Sequence, residues 1–205
     1  MEVTEAIRRR HMVRSFSVAP LDRDQVDRLV GDALRGPSAG NTRGVAWLVL
    51  EGTDAATYWH HATTADWRAR ARRYPGLSRA PVVALCLCSP PAYVERYGEE
   101  DKRRSGLGAP PNGNGEDAWP IPYWFGDAAC STMLLLLGAT AAGIGAAFLG
   151  NFRGERPLLE ALGVPAAWRL YGAVLLGKPD GADHPSPSLR RAVAAGSNSV
   201  HRSRW

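Results

Sequence analysis

Arginine is the side chain with the most chemistry on offer in this sequence. Arg8, Arg9 and Arg10 stand together with Arg14 just beyond them, and Arg190 and Arg191 form a second cluster near the other end of the chain. A guanidinium presents a rigid fork of donors that matches phosphate oxygens, so two such clusters converging in space would clamp one phosphate. Taken alone, each cluster also reads as a solvated basic face. Other catalytic signatures are missing: the chain has no GxSxG elbow, no HExxH, no GxxxxGK[ST] loop and no cysteine with a positioned histidine. Gly143-Ile144-Gly145 lacks the third glycine of a dinucleotide loop and follows a helical pattern instead of a strand. Cys86 and Cys88 alternate within PVVALCLC and belong on one side of a buried strand, and His60-His61 has no thiol or carboxylate at ligand spacing. No metal is expected.

The elements that must position these arginines come from a chain of 205 residues, 45% hydrophobic, long enough for one packed domain. The net charge of +5 is spread along the whole length, with no nucleic-acid-binding motif beside it, so no nucleic-acid partner is expected. Neither a signal-peptide core nor an uninterrupted apolar run of membrane-spanning length is present, and the reading is a cytoplasmic protein without a membrane partner.

Val3, Ala6, Ile7 and Arg10 fit a short helix, and Asp22 starts a clearer one through Val26, Leu29, Val30, Ala33 and Leu34 that stops at Gly36-Pro37. Strands are expected at Val45 to Leu50, Ala80 to Cys88 and Leu170 to Leu176, with one helix from Ala55 to Arg73. A helix over AYVERYGEEDKRR leads into SGLGAPPNGNGEDAWPIP, whose glycines, prolines and asparagines make the region about 90–122 a lid-like insertion. Tyr123 to Ala142 is the most apolar segment and reads as a central helix covered on all sides. GIGAAFLGNF and a helix near Pro157 to Leu162 follow. The polar tail, about 178–205, ends in Val200, His201 and Trp205, which favours its docking on another surface.

Together the segments resemble the nitroreductase family of FMN-dependent oxidoreductases. The resemblance rests on Arg10-His11-Met12-Val13-Arg14-Ser15-Phe16, then Pro37-Ser38-Ala39-Gly40-Asn41-Thr42-Arg43, then GIGAAFLGNF, then LLGKPD, Arg190-Arg191 and Val200-His201-Arg202-Ser203-Arg204-Trp205, in that order over nearly the whole chain. It implies an α+β fold, a central mostly antiparallel sheet flanked by helices, in an intertwined homodimer with two FMN sites at the interface. It further implies that Arg10 and Arg14 supply charge to the phosphate while His11 and Met12 lie along the cofactor, and that Arg190 or Arg191 closes the phosphate. Pro37, Ser38 and Ala39 would reach the flavin from the opposite subunit, with Asn41 and Arg43 near its polar edge and Phe148, Leu149 and Gly150 along one face. Two positions depart from the family pattern: Met12 stands where serine is usual, and Arg43 where glutamine is usual. If Thr42 and Arg43 run extended, Asn41 and Arg43 point to the same side.

The implied reaction is ping-pong, with hydride passing from NAD(P)H through FMN to an electron-poor small-molecule acceptor such as a nitroarene or quinone. No side-chain acid or base is implied; Trp119, Tyr123 and Trp124 are candidate walls of the acceptor pocket, or ordinary packing. Within the family the alternatives are a dehalogenase, a natural-product dehydrogenase or a flavin-fragmenting enzyme. Outside it the alternative is a non-catalytic flavin-binding protein.

Overall fold

Four apolar runs supply the strands, and the most apolar of them lies inside. The computed structural model describes residues 1–70, 75–111, 113–184 and 200–204. Among these the strands β1 (Val45–Glu51), β2 (Val82–Cys88), β3 (Gly145–Leu149) and β4 (Arg169–Gly177) form one antiparallel sheet in the order β1-β2-β4-β3. Every residue of β2, VVALCLC, is buried, because both its neighbours and both its faces are covered. The α+β class and the antiparallel sheet agree with the sequence reading.

One face packs against α3 (Thr53–Ala62) and α7 (Glu155–Ala161), where Tyr58, Leu158 and Leu159 meet Val83, Leu85 and Leu175. On the other face, α2 (Arg23–Ala33) and α6 (Tyr123–Ala141) bring Val26, Leu135, Leu136 and Ala139 onto Val82, Ala84, Val174 and Leu176. Fully burying each such valine or leucine side chain is worth about 1.5–3 kcal/mol. Helix α2 begins at Asp22, whose carboxylate accepts the Gln25 N–H at 2.8 Å. At one end of the sheet, Cys86, Cys88, Tyr93, Trp119, Trp124 and Ala128 form a third cluster beneath α5 (Pro90–Gly98). Burial pushes both thiols up to about 12, which suits packing residues.

The register between β2 and β4 slips between Cys86 and Leu87, leaving Tyr171 as an extra residue between Leu170 and Gly172. The bulge lets the Phe148 ring lie over the backbone. A Cβ on Gly172 would come within 2.5 Å of that ring, so glycine is the residue that fits.

The helices differ from expectation in three places. The helix expected over Ala55 to Arg73 is two, α3 and α4 (Ala65–Arg70), because Thr63 is extended and the Thr64 hydroxyl accepts the Trp67 N–H at 3.0 Å to start a new helix; residues 71–74 lie outside those described. The helix expected over AYVERYGEEDKRR ends at Gly98, where Glu99 turns extended. Finally, α6 is not covered on all sides: Tyr123, Gly126, Cys130, Met133, Leu134 and Ala141 share one exposed stripe. The helix is long and apolar enough to cross a membrane by composition, and its opposite side is the core of the α2 face.

Candidate functional site

The arginine-bearing segment lies along the open edge of β3. It follows α1 (Val3–Arg9), whose C-cap is the half-buried Arg10. Val13 and Phe16 are buried and pull the segment down onto the core, while Arg14 stays half-exposed between them. The Val13 N–H donates to Ala146 O at 2.9 Å, and the Phe148 N–H points at Met12 Sδ at 3.3 Å. Met12 therefore spends its thioether on the strand edge, where it also packs against both sheet faces. His11 bonds through Nδ1 to Arg9 O at 3.0 Å.

Beyond Arg14 the segment is tied to the end of β4. Ser17 N–H donates to Lys178 O at 2.8 Å, and Ser15 Oγ donates to Asp180 at 2.9 Å, where Arg79 also pairs with the carboxylate. The Ala182 N–H first, then the Ser15 hydroxyl and the Arg79 charge, hold the Asp180 carboxyl below its ordinary range. The Arg14 N–H donates to Asp183 at 3.0 Å and its guanidinium to Met12 O at 3.1 Å. Met12 is thus brought against Phe148, with Arg10 and Arg14 two residues to either side of it in the same segment. Phe148 stacks on Tyr171 with ring centroids 5.5 Å apart. Arg190 and Arg191 lie outside the described residues, as does Trp205, while Val200 and His201 are exposed.

The second group of predicted residues forms a turn elsewhere. After Pro37 the chain is extended at Ser38, makes a 3-10 turn over Ala39–Asn41 and carries positive φ at Gly40 (62°), Asn41 (56°) and Arg43 (55°). The expected extended run through Thr42 and Arg43 is replaced by this turn, yet Arg43 Nε still reaches Asn41 Oδ1 at 3.4 Å. Inside the turn, Arg43 N–H donates to Ser38 Oγ at 2.9 Å and Thr42 Oγ1 to Ala39 O at 2.6 Å. Non-glycine residues at positive φ cost on the order of 1–3 kcal/mol each, less for asparagine, and need outside support.

That support comes from two residues the sequence reading did not single out. Asp127, buried on α6, accepts the Ala39 N–H at 2.8 Å and the Tyr93 hydroxyl at 2.7 Å on the same oxygen. Burial above all, and then the bond to Asp127, push the Tyr93 phenol well above its ordinary value, so it stays a proton donor. The signal for Asp127 was present: it is the one acid in the apolar helix YWFGDAACSTMLLLL. Tyr93 carries no such mark. A cleft of about 630 Å³ opens beside the turn, lined by Pro37, Ser38, Asn41, Arg43, Asp127 and Ser131 among others.

Of the three aromatic candidates, Trp119 and Trp124 are buried at 7% and 6% exposure and Tyr123 is exposed at 43%. Trp119 donates through Nε1 to Leu107 O at 3.0 Å and sits edge-on to Tyr93, Tyr97, Tyr123 and Trp124. The insertion is therefore packed through Trp119 onto the third cluster.

The arginine segment and the turn do not meet in one chain. Arg9 and His11 share a small cleft with Thr140 and Gly143 at one end of α6, whereas the turn is fastened at Asp127 near the other. Asp127 and Thr140 are about 20 Å apart by the ordinary helical rise. Each half fits part of FMN. Arg10 and Arg14 carry guanidinium groups able to donate charge-assisted hydrogen bonds to a phosphate. The turn offers an amide, a hydroxyl and a guanidinium to the polar edge of a planar ring.

This sheet, with its strand-edge arginines and a separate anchored turn, defines an α+β protein of the nitroreductase-like fold. The nitroreductase family model matches residues 7–178, and the chain belongs to that family of oxidoreductases. In fold it is similar to a nitroreductase family protein from Clostridium difficile 630, 14% identical over 100% of both chains with a TM-score of 0.69. It is also similar to nitroreductase CinD from Lactococcus lactis, solved in complex with 4-nitrophenol, at 15% identity over 94% of this chain and 100% of that one, TM-score 0.71. A family member from Clostridium novyi NT is 20% identical over 94% of this chain and 89% of that one, TM-score 0.65. No curated protein matches the sequence.

Proposed function

We propose that the protein is an FMN-dependent NAD(P)H oxidoreductase acting as a homodimer on an electron-poor small molecule such as a nitroarene or quinone. The observation that carries this reading is the docking of the arginine segment on β3, where Val13 bonds Ala146 and Met12 meets the Phe148 N–H between Arg10 and Arg14. When bound, FMN would supply two-electron, hydride-accepting chemistry between NAD(P)H and the acceptor. The chain's own part is to bind and orient: Arg10 and Arg14 toward the phosphate, and the end of β3 along one ring face. Arg190 or Arg191 would close the phosphate from the tail.

Two features support a second chain in each site. The turn Pro37–Arg43 lies about a helix length from the arginines of its own chain, so it serves a flavin held by a partner. Between them α6 exposes an apolar stripe through Tyr123, Met133 and Leu134, with Ile7 and Leu34 also exposed, which a two-fold partner would cover. The family's dehalogenase, natural-product dehydrogenase and flavin-fragmenting activities are specialised forms of the same reading. The test is the absorption spectrum of freshly purified protein, followed by stopped-flow mixing with NADH and, separately, with NADPH. The expected result is a yellow protein that releases FMN and bleaches on mixing with at least one of them. Bound flavin that both NADH and NADPH leave oxidised would point to a non-catalytic flavin-binding protein.

A further inference from the structure

A carboxylate near the start of the most apolar helix has no place in the flavin chemistry just described. Asp127 is 8% exposed and Tyr93 0%, and an aliphatic side chain at position 127 would avoid the cost of burying a charge. What the carboxylate does is join three elements. On α6, one oxygen takes donors from the turn (Ala39 N–H, 2.8 Å) and from α5 (Tyr93 O–H, 2.7 Å). Helix α5 grips the turn a second time, with Arg96 Nε donating to Gly40 O at 2.8 Å while its own charge is balanced by Asp101 and Glu99. The turn has no slack against α5: a Cβ on Gly40 would come within 2.7 Å of the Tyr97 ring, and one on Gly44 within 2.4 Å of the Tyr93 ring.

We propose that Asp127 and Tyr93 are positioning residues that hold the Pro37–Arg43 turn in the shape the partner's flavin requires, so that α5 of the insertion governs cofactor binding. The proposal rests on the flavin reading above. The bonds inside the turn close it upon itself, but Asp127 and α5 fix it to the body of the protein. Losing the Tyr93 hydroxyl leaves the carboxylate with the Ala39 N–H as its one donor among the described residues, in an apolar cluster. Its best recourse is to rotate toward the cleft, drawing Ala39 and its strained neighbours with it.

The test compares FMN and riboflavin affinity of the dimer. Tyr93→Phe removes one oxygen atom and is expected to weaken both flavins alike, by about tenfold, the scale of one hydrogen bond to a charged group. Asp127→Leu should do the same or more, whereas Asp127→Asn, which still accepts from Ala39 and Tyr93, should stay close to the parent. A mixed dimer of one Arg10→Ala chain and one Tyr93→Phe chain separates a positioning role from loss of fold. If the turn serves the partner's flavin, one site of that dimer carries both substitutions and the other neither, so half the sites should bind FMN with the parent's affinity. A Tyr93→Phe protein binding both flavins as the parent does overturns the positioning role alone, and a mixed dimer lacking any such site overturns the assignment of the turn to the partner's flavin. A parent that binds neither flavin overturns the flavin reading and this proposal with it.

Discussion

Arg10 and Arg43 have different environments and should fail differently. Arg10 is half-buried at the C-cap of α1, one turn of chain from the strand edge. Arg10→Ala is expected to weaken FMN binding by roughly 1.5–3 kcal/mol, the worth of a charge-assisted phosphate contact, while leaving riboflavin nearly unchanged. Parallel titrations of the two flavins check this, and equal losses would remove the phosphate assignment. Arg43 is exposed, with its backbone held by Ser38 and its Nε near Asn41. Set by the partner's flavin, its charge would favour the reduced cofactor, where negative charge gathers at the pyrimidine edge. Arg43→Gln should then lower the two-electron potential by on the order of 30 mV, equivalent to about 1.4 kcal/mol. An unchanged potential with FMN still bound would place Arg43 in solvent.

At the scale of elements, the insertion and the β4 bulge carry the consequences. Glycines, prolines and asparagines give Ser105 to Pro120 the composition of a mobile cover, yet Trp119 is sunk in the third cluster and bonded to Leu107. Trp119→Ala should cost about 3–5 kcal/mol of stability, as large aromatic deletions from packed sites do. Denaturant unfolding measures it; a loss under 1 kcal/mol would mean that the insertion is loosely held. Gly172→Ala tests the bulge, since a methyl there must displace the Phe148 ring from its stack on Tyr171. A loss of about 1–3 kcal/mol is expected from such overpacking, with altered near-ultraviolet dichroism of the aromatic residues as a second readout.

For the whole molecule the exposed stripe of α6 is the main consequence. Leu134 is 39% and Met133 47% exposed, in the same helix that buries Leu135 and Leu136 against the sheet. Leu134→Glu, occurring twice in a two-fold interface, should raise the dimer dissociation constant by about a hundredfold or more. Light scattering of the parent at twice the chain mass, and of the variant at one chain mass without flavin, is the expected pair of results. A parent that is monomeric with flavin retained would remove the two-chain site. Much of this was legible in the sequence by itself. The apolar runs determined where strands and helices lie, because burial demands a fixed period from each element. The arginines, the proline turn and the glycine-bearing strand end determined which residues have chemistry to offer. Tertiary structure alone decided that the arginine segment pairs with β3, that the turn stands at the far end of α6, and that Asp127 reaches both Ala39 and Tyr93. It also left one side of α6 bare, where composition alone pointed to a helix covered all round. The reason is physical: period and propensity act between near neighbours in the chain, whereas a hydrogen bond between Tyr93 and Asp127 exists only after two helices have been brought together by the burial of other residues.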